Sequence, residues 1–204
     1  MATPETFASD PSAVQSFYNA RRRQLVNSNG MPNIAPKALS RLEEEWPKAG
    51  GGSVTIVTQN IDDLNEAGSS KNLIHMHREL LKARCLACHK TSPRRDDLGG
   101  GEACPQCGQA GTLRPHVVWF GKMPLFVEEI YGLLTRCALF ISIGTSGNFY
   151  PAAGFVQEPR SADARNIELN VEPSEAATFF HEARYGPATE LIPNFVDEIL
   201  DKVI

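Results

Sequence analysis

No apolar run in the 204 residues approaches the roughly 18 needed to span a membrane. The opening Met1-Ala2-Thr3-Pro4-Glu5 has neither the basic nor the apolar region of a signal peptide. A membrane or secreted protein is therefore not expected. Positive charge is not in excess, with 20 basic residues against 24 acidic ones and a formal net charge of −4. A nucleic-acid partner is accordingly not expected. No internal repeat is visible, and no Gly-x-Gly-x-x-Gly occurs, which excludes that dinucleotide-binding fingerprint. Cysteine is scarce and odd in number. Five of them without a secretory start argue against a disulfide framework and for a reducing, cytoplasmic compartment. What is present is ordinary for a globular chain. Hydrophobic residues make 42% and charged residues 22%, which excludes wholesale disorder. The length fits one domain, or one domain carrying a smaller module.

Residues 12–25 predict an amphipathic helix, capped by Asp10 or Ser9 and with Pro11 near its first turn. Val14, Phe17 and Leu25 fall near one face. Pro32 and Pro36 interrupt the next stretch, and 37–46 predicts a second helix, broken by Gly50-Gly51-Gly52. The β-branched run 54–57 predicts a buried strand. The segments 73–77 and 80–84 are too short to assign. Strands are expected over 114–120, 138–143 and 167–171, and helices over 128–137, 175–183 and 194–203. Strands alternating with helices predict a mostly parallel α/β sheet with crossover connections. Ligands of such sheets sit at the carboxyl ends of strands. Thr58-Gln59-Asn60 and Gly144-Thr145-Ser146 occupy such places.

Four cysteines carry the strongest chemical signal. Cys85-x-x-Cys88 and Cys104-x-x-Cys107, with 15 residues between the pairs, put four thiolates around one tetrahedral ion. Zinc suits four sulfur ligands. With every position filled no water is activated, so one structural zinc per chain is expected. Gly108 permits the turn after the second pair, and His89 is expected to be exposed and not a ligand.

Around this module lie Thr58-Gln59-Asn60-Ile61-Asp62, Ile74-His75-Met76-His77, Arg114-Pro115-His116-Val117-Val118-Trp119-Phe120-Gly121, Gly144-Thr145-Ser146, Asn170-Val171-Glu172-Pro173 and Tyr185-Gly186-Pro187-Ala188. In this order they resemble the sirtuins, NAD-dependent protein lysine deacylases, and most of all the bacterial class with desuccinylase activity. The resemblance covers almost all of residues 1–204. It implies an α/β fold, a Rossmann-like doubly wound parallel sheet, incomplete at its N-terminus, with an inserted zinc ribbon and a helical small domain. A single catalytic domain over 1–204 is expected. Its helical part would be 1–49, its Rossmann-like part 50–84 and 113–204, and its zinc ribbon 85–112.

The resemblance also implies roles. His77 matches the general base, and imidazole titrates near neutrality. His75 is expected to point away from it. Gln59, Asn60, Ile61 and Asp62 match contacts to nicotinamide and its ribose. Gly144, Thr145 and Ser146 match contacts to the NAD ribose and phosphates, Asn170, Val171 and Glu172 the adenosine ribose, and Ala188 the adenine side. Val117, Val118, Trp119, Phe120 and Gly121 match the segment that pairs with the substrate peptide as an added strand. Tyr18 and Arg21, three apart on a helix, match a pair that holds the carboxylate of succinyl- or malonyl-lysine. NAD as co-substrate, acylated lysines of proteins as partners and a monomer follow as expectations.

The chain departs from the family in places. The family's opening strand and Gly-Ala-Gly-x-Ser loop, which cradles the pyrophosphate, has no match in residues 1–204, so weak NAD binding by these residues alone is expected. Arg78 stands where a glycine usually follows the base. Asn65 and Pro36 replace histidines, and Lys122 replaces a glutamate. A second reading is a truncated, catalytically silent relative that keeps the zinc module and a peptide groove.

Overall fold

A computed structural model describes residues 2–27, 31–148 and 150–202. In chain order the elements are α1 (Pro4–Ser9), α2 (Pro11–Asn27), α3 (Ile34–Lys48), β1 (Ile56–Thr58), α4 (Leu64–Ala67), β2 (Leu73–His75), β3 (Arg78–Cys85), β4 (Thr91–Pro93) and β5 (Leu113–Val117). There follow α5 (Val127–Leu134), β6 (Leu139–Ile143), α6 (Gln157–Ser161), β7 (Arg165–Asn170), β8 (Glu182–Tyr185) and α7 (Ala188–Asp201). None of these helices is long and apolar enough to cross a membrane, among the described residues. The chain divides into two compact units. One takes Met1–Met31, Thr58–Ala67 and His75–Leu125, the other Pro32–Val57, Gly68–Ile74 and Phe126–Ile204.

In the first unit, α2 begins as expected. The Asp10 carboxylate accepts the Ala13 N–H at 2.9 Å, and Pro11 sits where a missing N–H costs nothing. Its apolar face packs Val14 and Tyr18 against Leu80, Val117 and Trp119, with Phe17 and Leu25 at the margin. β4, β3 and β5 form an antiparallel sheet in that order. The stretch 80–84, which defied assignment, is the middle of β3. A register irregularity between Arg78 and Ala83 buries Leu80 and Ala83, three apart, and so hides the two-residue period.

Arg21, Arg22 and Arg23 follow one another on α2, and their environments differ, since Arg21 and Arg23 are exposed. Arg22 is fully buried. Its Nε and Nη2 donate to the Leu80 carbonyl at 3.3 and 3.2 Å, and its Nη1 to Asn19 Oδ1 at 2.6 Å. Asn19 in turn donates to the Leu98 carbonyl and accepts the Leu98 N–H, both at 2.9 Å. These bonds pin α2 to β3 and to the loop before the second cysteine pair.

In the second unit, β6, β7 and β8 form a parallel sheet in that order. Ala35, Ala38 and Leu42 of α3 and Ile192, Phe195, Val196 and Leu200 of α7 cover Ile167 and Leu169 on one face. β1 pairs with β2, and Ile56 N–H donates to the Asn72 carbonyl at 2.9 Å.

Several boundaries differ from expectation. Pro36 does not interrupt a helix but lies in the first turn of α3, where it is tolerated, behind an Asn33 side chain that caps Ala35 at 2.9 Å. The helix expected over 175–183 is replaced by a short 3₁₀ turn, Ala177–Phe179, and then β8. Glu182 to Tyr185 complete the ladder on β7, and that pairing overrides the local helical preference. α7 starts six residues before its expected limit and carries Pro193 inside it.

Candidate functional site

The four-cysteine cluster lies wholly in the first unit. Cys85 and Cys107 sulfurs stand 3.8 Å apart, as do those of Cys88 and Cys104, and all four lie within 4.8 Å of one another. Ligands about 2.3 Å from a tetrahedral zinc stand roughly 3.8 Å apart, so the spacing fits that ion. It is far too long for a disulfide, which needs about 2.05 Å. Backbone N–H groups of Ala87 and Cys88 point at Cys85 Sγ at 3.3 and 3.4 Å, and that of Gln106 at Cys104 Sγ at 3.4 Å. The Thr112 hydroxyl, then the Cys88 N–H, pulls the Cys85 thiol down to about 6. Cys107 behaves oppositely. The Gln109 N–H draws it down, but burial and the neighbouring Cys104, Cys88 and Cys85 sulfurs outweigh that and push it up to about 11. Four such thiols ionise together only around a cation. Both knuckles end on a left-handed residue. Gly108 has φ +75°, and His89, exposed as expected, holds φ +61° at the same place in the first knuckle.

His77 sits in the turn between β2 and β3. Its Nδ1 lies 2.8 Å from the Gln59 carbonyl oxygen. A carbonyl only accepts, so Nδ1 carries the proton and the Nε2 lone pair is left as a base. The His77 carbonyl accepts the Val118 N–H at 3.1 Å, which ties the turn to the segment after β5. His75 turns to another partner, Glu66, at 2.6 Å. The turn at Met76 separates the two imidazoles, since strand alternation alone puts residues two apart on one side. Asp62 Oδ1 accepts the Leu64 N–H at 3.2 Å and so opens α4, while Ile61 packs into the α2 core and its carbonyl accepts the Leu80 N–H at 2.7 Å. Gln59 is half-buried and Asn60 exposed. Arg78 occupies φ +67°, the left-handed conformation for which a glycine is the unstrained choice, and its Nη1 lies 3.3 Å from His116 Nδ1.

On α2, Tyr18 is buried, and burial raises its phenol against the lowering charges of Arg21 and Arg114. Arg21 is exposed, with its guanidinium 3.7 Å over the Phe17 ring. After β5 the side chains alternate. Val117 and Trp119 are buried, Trp119 edge-on to Phe7 at 4.8 Å, while Phe120 is 61% exposed. The Phe120 N–H donates to the Ala2 carbonyl at 2.8 Å, and Gly121 has φ +80°.

The second unit gathers its own set at the carboxyl ends of β6 and β7. Ile143 lies beside Leu169 in parallel register, so the loops starting at Gly144 and Asn170 emerge together. The Asn170 amide donates to the Thr145 carbonyl at 2.9 Å and its Oδ1 accepts the Val171 N–H at 2.9 Å. The Ser146 hydroxyl accepts the Asn148 N–H at 3.4 Å, and the Ser146 carbonyl accepts the Glu175 N–H at 3.0 Å. The Asn170 carbonyl accepts the Gly186 N–H at 2.8 Å, which brings Ala188, the first residue of α7, to the same end. Val171 and Glu172 are exposed. Behind them Glu168, fully buried, accepts the Tyr185 hydroxyl at 3.0 Å and the Ser174 N–H at 3.3 Å. Sequence reasoning missed Glu168. A lone acid in an apolar strand was its only signal.

The Sir2 family model matches residues 1–151. The NAD-dependent protein deacylase SIR2rp3 of Leishmania major is 49% identical over 201 residues, covering 98% of this chain and 82% of that protein. The NAD-dependent protein deacylase of Vibrio cholerae is 50% identical over 200 residues, covering 98% and 80%. Among solved structures, a Sir2 homolog–NAD complex superposes with a TM-score of 0.88 at 28% identity, covering 100% of this chain and 77% of that one. Sir2Af2 bound to a myristoylated histone peptide gives 0.78 at 26%, covering 99% and 85%.

Proposed function

The chain belongs to the Sir2 family, with its Rossmann-like α/β fold, and from that premise we propose that it is an NAD-dependent protein lysine deacylase. Its substrates are acylated lysine side chains of proteins, acetyl and succinyl among them, and its products free lysine, nicotinamide and O-acyl-ADP-ribose. The observation that carries this reading is the His77 Nδ1 bond to the Gln59 carbonyl, which in the neutral ring puts the proton on Nδ1 and the lone pair on Nε2.

Bound NAD supplies the electrophilic ribose carbon and the nicotinamide leaving group. The chain supplies the rest. His77 takes a proton at Nε2 from a ribose hydroxyl. Gln59 and Asn60 offer amides that donate and accept, and Ile61 holds that turn through its backbone and its packing. Asp62 keeps Oδ2 for a carboxamide N–H while Oδ1 fixes the turn. In the second unit the sheet-end loops suit a ribose and phosphates. Gly144 and Ser146 are exposed there, Thr145 is braced by Asn170, and α7 presents its N-terminus at Ala188. Asn170, Val171 and Glu172 take the adenosine ribose. The substrate peptide adds a strand along Val117, Val118, Trp119, Phe120 and Gly121, mainly through backbone, since Val117 and Trp119 spend their side chains on the core. Tyr18 and Arg21 take the carboxylate of an acidic acyl group. One zinc on Cys85, Cys88, Cys104 and Cys107 is structural. A cytoplasmic monomer without nucleic-acid function completes the reading.

The test is mass spectrometry of an acyl-lysine peptide incubated with NAD and the protein. O-acyl-ADP-ribose is expected, and His77→Asn lowers its rate about 10²- to 10⁴-fold with zinc content unchanged. Peptide binding without product would favour the silent relative, and full activity in His77→Asn would remove the base from the mechanism.

A further inference from the structure

The outward face of β3 and β5 gathers three arginines, Arg78, Arg84 and Arg114, that have no carboxylate partner among the described residues. In the antiparallel register Arg84 stands directly opposite Arg114, a like-charge pair that costs stability. Lys82 and His116 lie two residues along on the same face, and Arg78 reaches His116 at 3.3 Å. The opposite face is spent on the core, where Ala83, Cys85, Leu113, Pro115 and Val117 are buried. Elsewhere, Arg23, Arg41, Arg94, Arg95, Arg165 and Arg184 each pair with a carboxylate. Among the described residues, Arg78, Arg84 and Arg114 pair with no carboxylate, nor do Arg21, Arg22, Arg136 and Arg160 elsewhere, but only the first three share one sheet face. The Arg114 guanidinium lies 4.8 Å over the Trp119 ring, and Glu79, next to Arg78 in sequence, is held by Lys82 at 2.6 Å. The mutual field is large enough to act on its own members. Burial, then Arg78 and Arg84, brings the Arg114 guanidinium down to about 10. Burial, then Arg78, Lys82, Arg114 and Arg84, brings His116 down to about 4. In a chain of net charge −4 this concentration is local, not a general excess.

We propose that this face docks an acidic segment of the proteins whose acyl-lysines the enzyme processes, an inference that rests on the deacylase reading. Charge complementarity sets the sign of the partner. Shape sets its kind. From Arg78 to Arg84 the strand runs roughly 20 Å at about 3.3 Å per residue, the length of several peptide residues and not of one phosphate. Continuity sets the place. β5 is the edge of its sheet and leads directly into Val118, so a peptide pairing along Val118 to Gly121 that continues past them runs beside Arg114 and His116. Acidic residues on that side of the acyl-lysine relieve the Arg84–Arg114 repulsion, and neutral ones leave it in place.

Direct binding tests this without turnover. The probe is a fluorescent dodecapeptide with four Asp or Glu residues and no acyl-lysine, compared with its Asn and Gln counterpart. At about 50 mM salt the acidic peptide is expected to bind about tenfold more tightly, and the difference should collapse near 0.5 M. Arg84→Gln should weaken the acidic peptide about threefold and Arg84→Glu more than tenfold, with circular dichroism unchanged. Equal affinity for the two peptides, indifference to Arg84→Glu, or tighter binding of a single-stranded oligonucleotide would each overturn the proposal. Turnover of a neutral acyl-lysine peptide, followed in parallel, reports on the deacylase reading separately. Its loss with acidic-peptide preference intact sinks that reading and strips the face of its substrate role. Its retention without the preference sinks the docking face alone.

Discussion

Arg78 is where backbone and side chain disagree most openly. A left-handed conformation costs an L-residue about 1–2 kcal/mol, against roughly 0.5–1 kcal/mol of extra chain entropy for glycine. Arg78→Gly is therefore expected to stabilise by about 0.5–1 kcal/mol, seen as a higher urea midpoint at unchanged slope, and Arg78→Val to destabilise. A lower midpoint for the glycine variant would mean that the contact to His116 outweighs the strain. Its neighbours on α2 show how far a side chain's fate depends on one step of helical rotation. Val14, Tyr18 and Arg22 are spaced by four and buried, while Arg21 lies outside. Arg22→Ala should cost about 3 kcal/mol or more, because the Leu80 carbonyl and Asn19 lose their partner in the interior. Arg21→Met should leave stability within about 0.5 kcal/mol. It should cut desuccinylation about ten- to a hundredfold relative to deacetylation, the worth of roughly 1.5–3 kcal/mol for a hydrogen bond to a charge. Matched losses on acetyl and succinyl peptides would assign Arg21 to the solvated surface.

At the scale of elements the zinc ribbon is the part most dependent on something other than packing. Its own core is small, built on Ala83, Cys85, Leu98, Cys104 and Leu113, and two of those are cysteines. Metal ligation therefore carries much of its folding free energy. Elemental analysis should give one zinc per chain. Cys104→Ser should bring the ratio near zero and open residues 85–112 to proteolysis. Fold and protease resistance retained without metal would refute a structural role. The ribbon was legible because thiolate spacing is set by the short knuckle itself. β8 was not, because nothing local in residues 182–185 competes with a helix until the edge of β7 is present to pair with.

For the whole molecule, two histidines set opposing limbs of stability against pH. His116 is held down to about 4 by burial and the surrounding cations. Unfolded, it takes a proton near 6.5. Between these values the unfolded chain binds more protons, so the stabilisation present above pH 6.5 is lost as pH falls through about 4. His75 is raised, first by its bond to Glu66, so its contribution is complete below about 6.5 and fades as pH rises through its folded value. Urea midpoints should peak around pH 6.5. His116→Gln, which keeps an acceptor for Arg78, should flatten the limb from 6.5 to 4, and His75→Gln the alkaline one. A single fall confined below pH 4.5 would show that carboxylates alone govern acid unfolding.

The sequence by itself determined the four-cysteine cluster, the family and most strands, and it singled out His77. These depend on short spacings and on residue types whose chemistry does not change with context. It also marked Arg78, since only a glycine fits such a turn without strain. The tertiary structure decided which nitrogen of His77 is free, because the Gln59 carbonyl that fixes it comes from a turn 18 residues away. It decided that Arg22 is interior and Arg21 is not, and that Trp119 is core although its neighbour Phe120 is surface. It placed Arg84 opposite Arg114, 30 residues apart in the chain, so that ordinary arginines make one charged face. Burial, tautomer and cross-strand register are properties of groups that meet only on folding, and no local pattern encodes them.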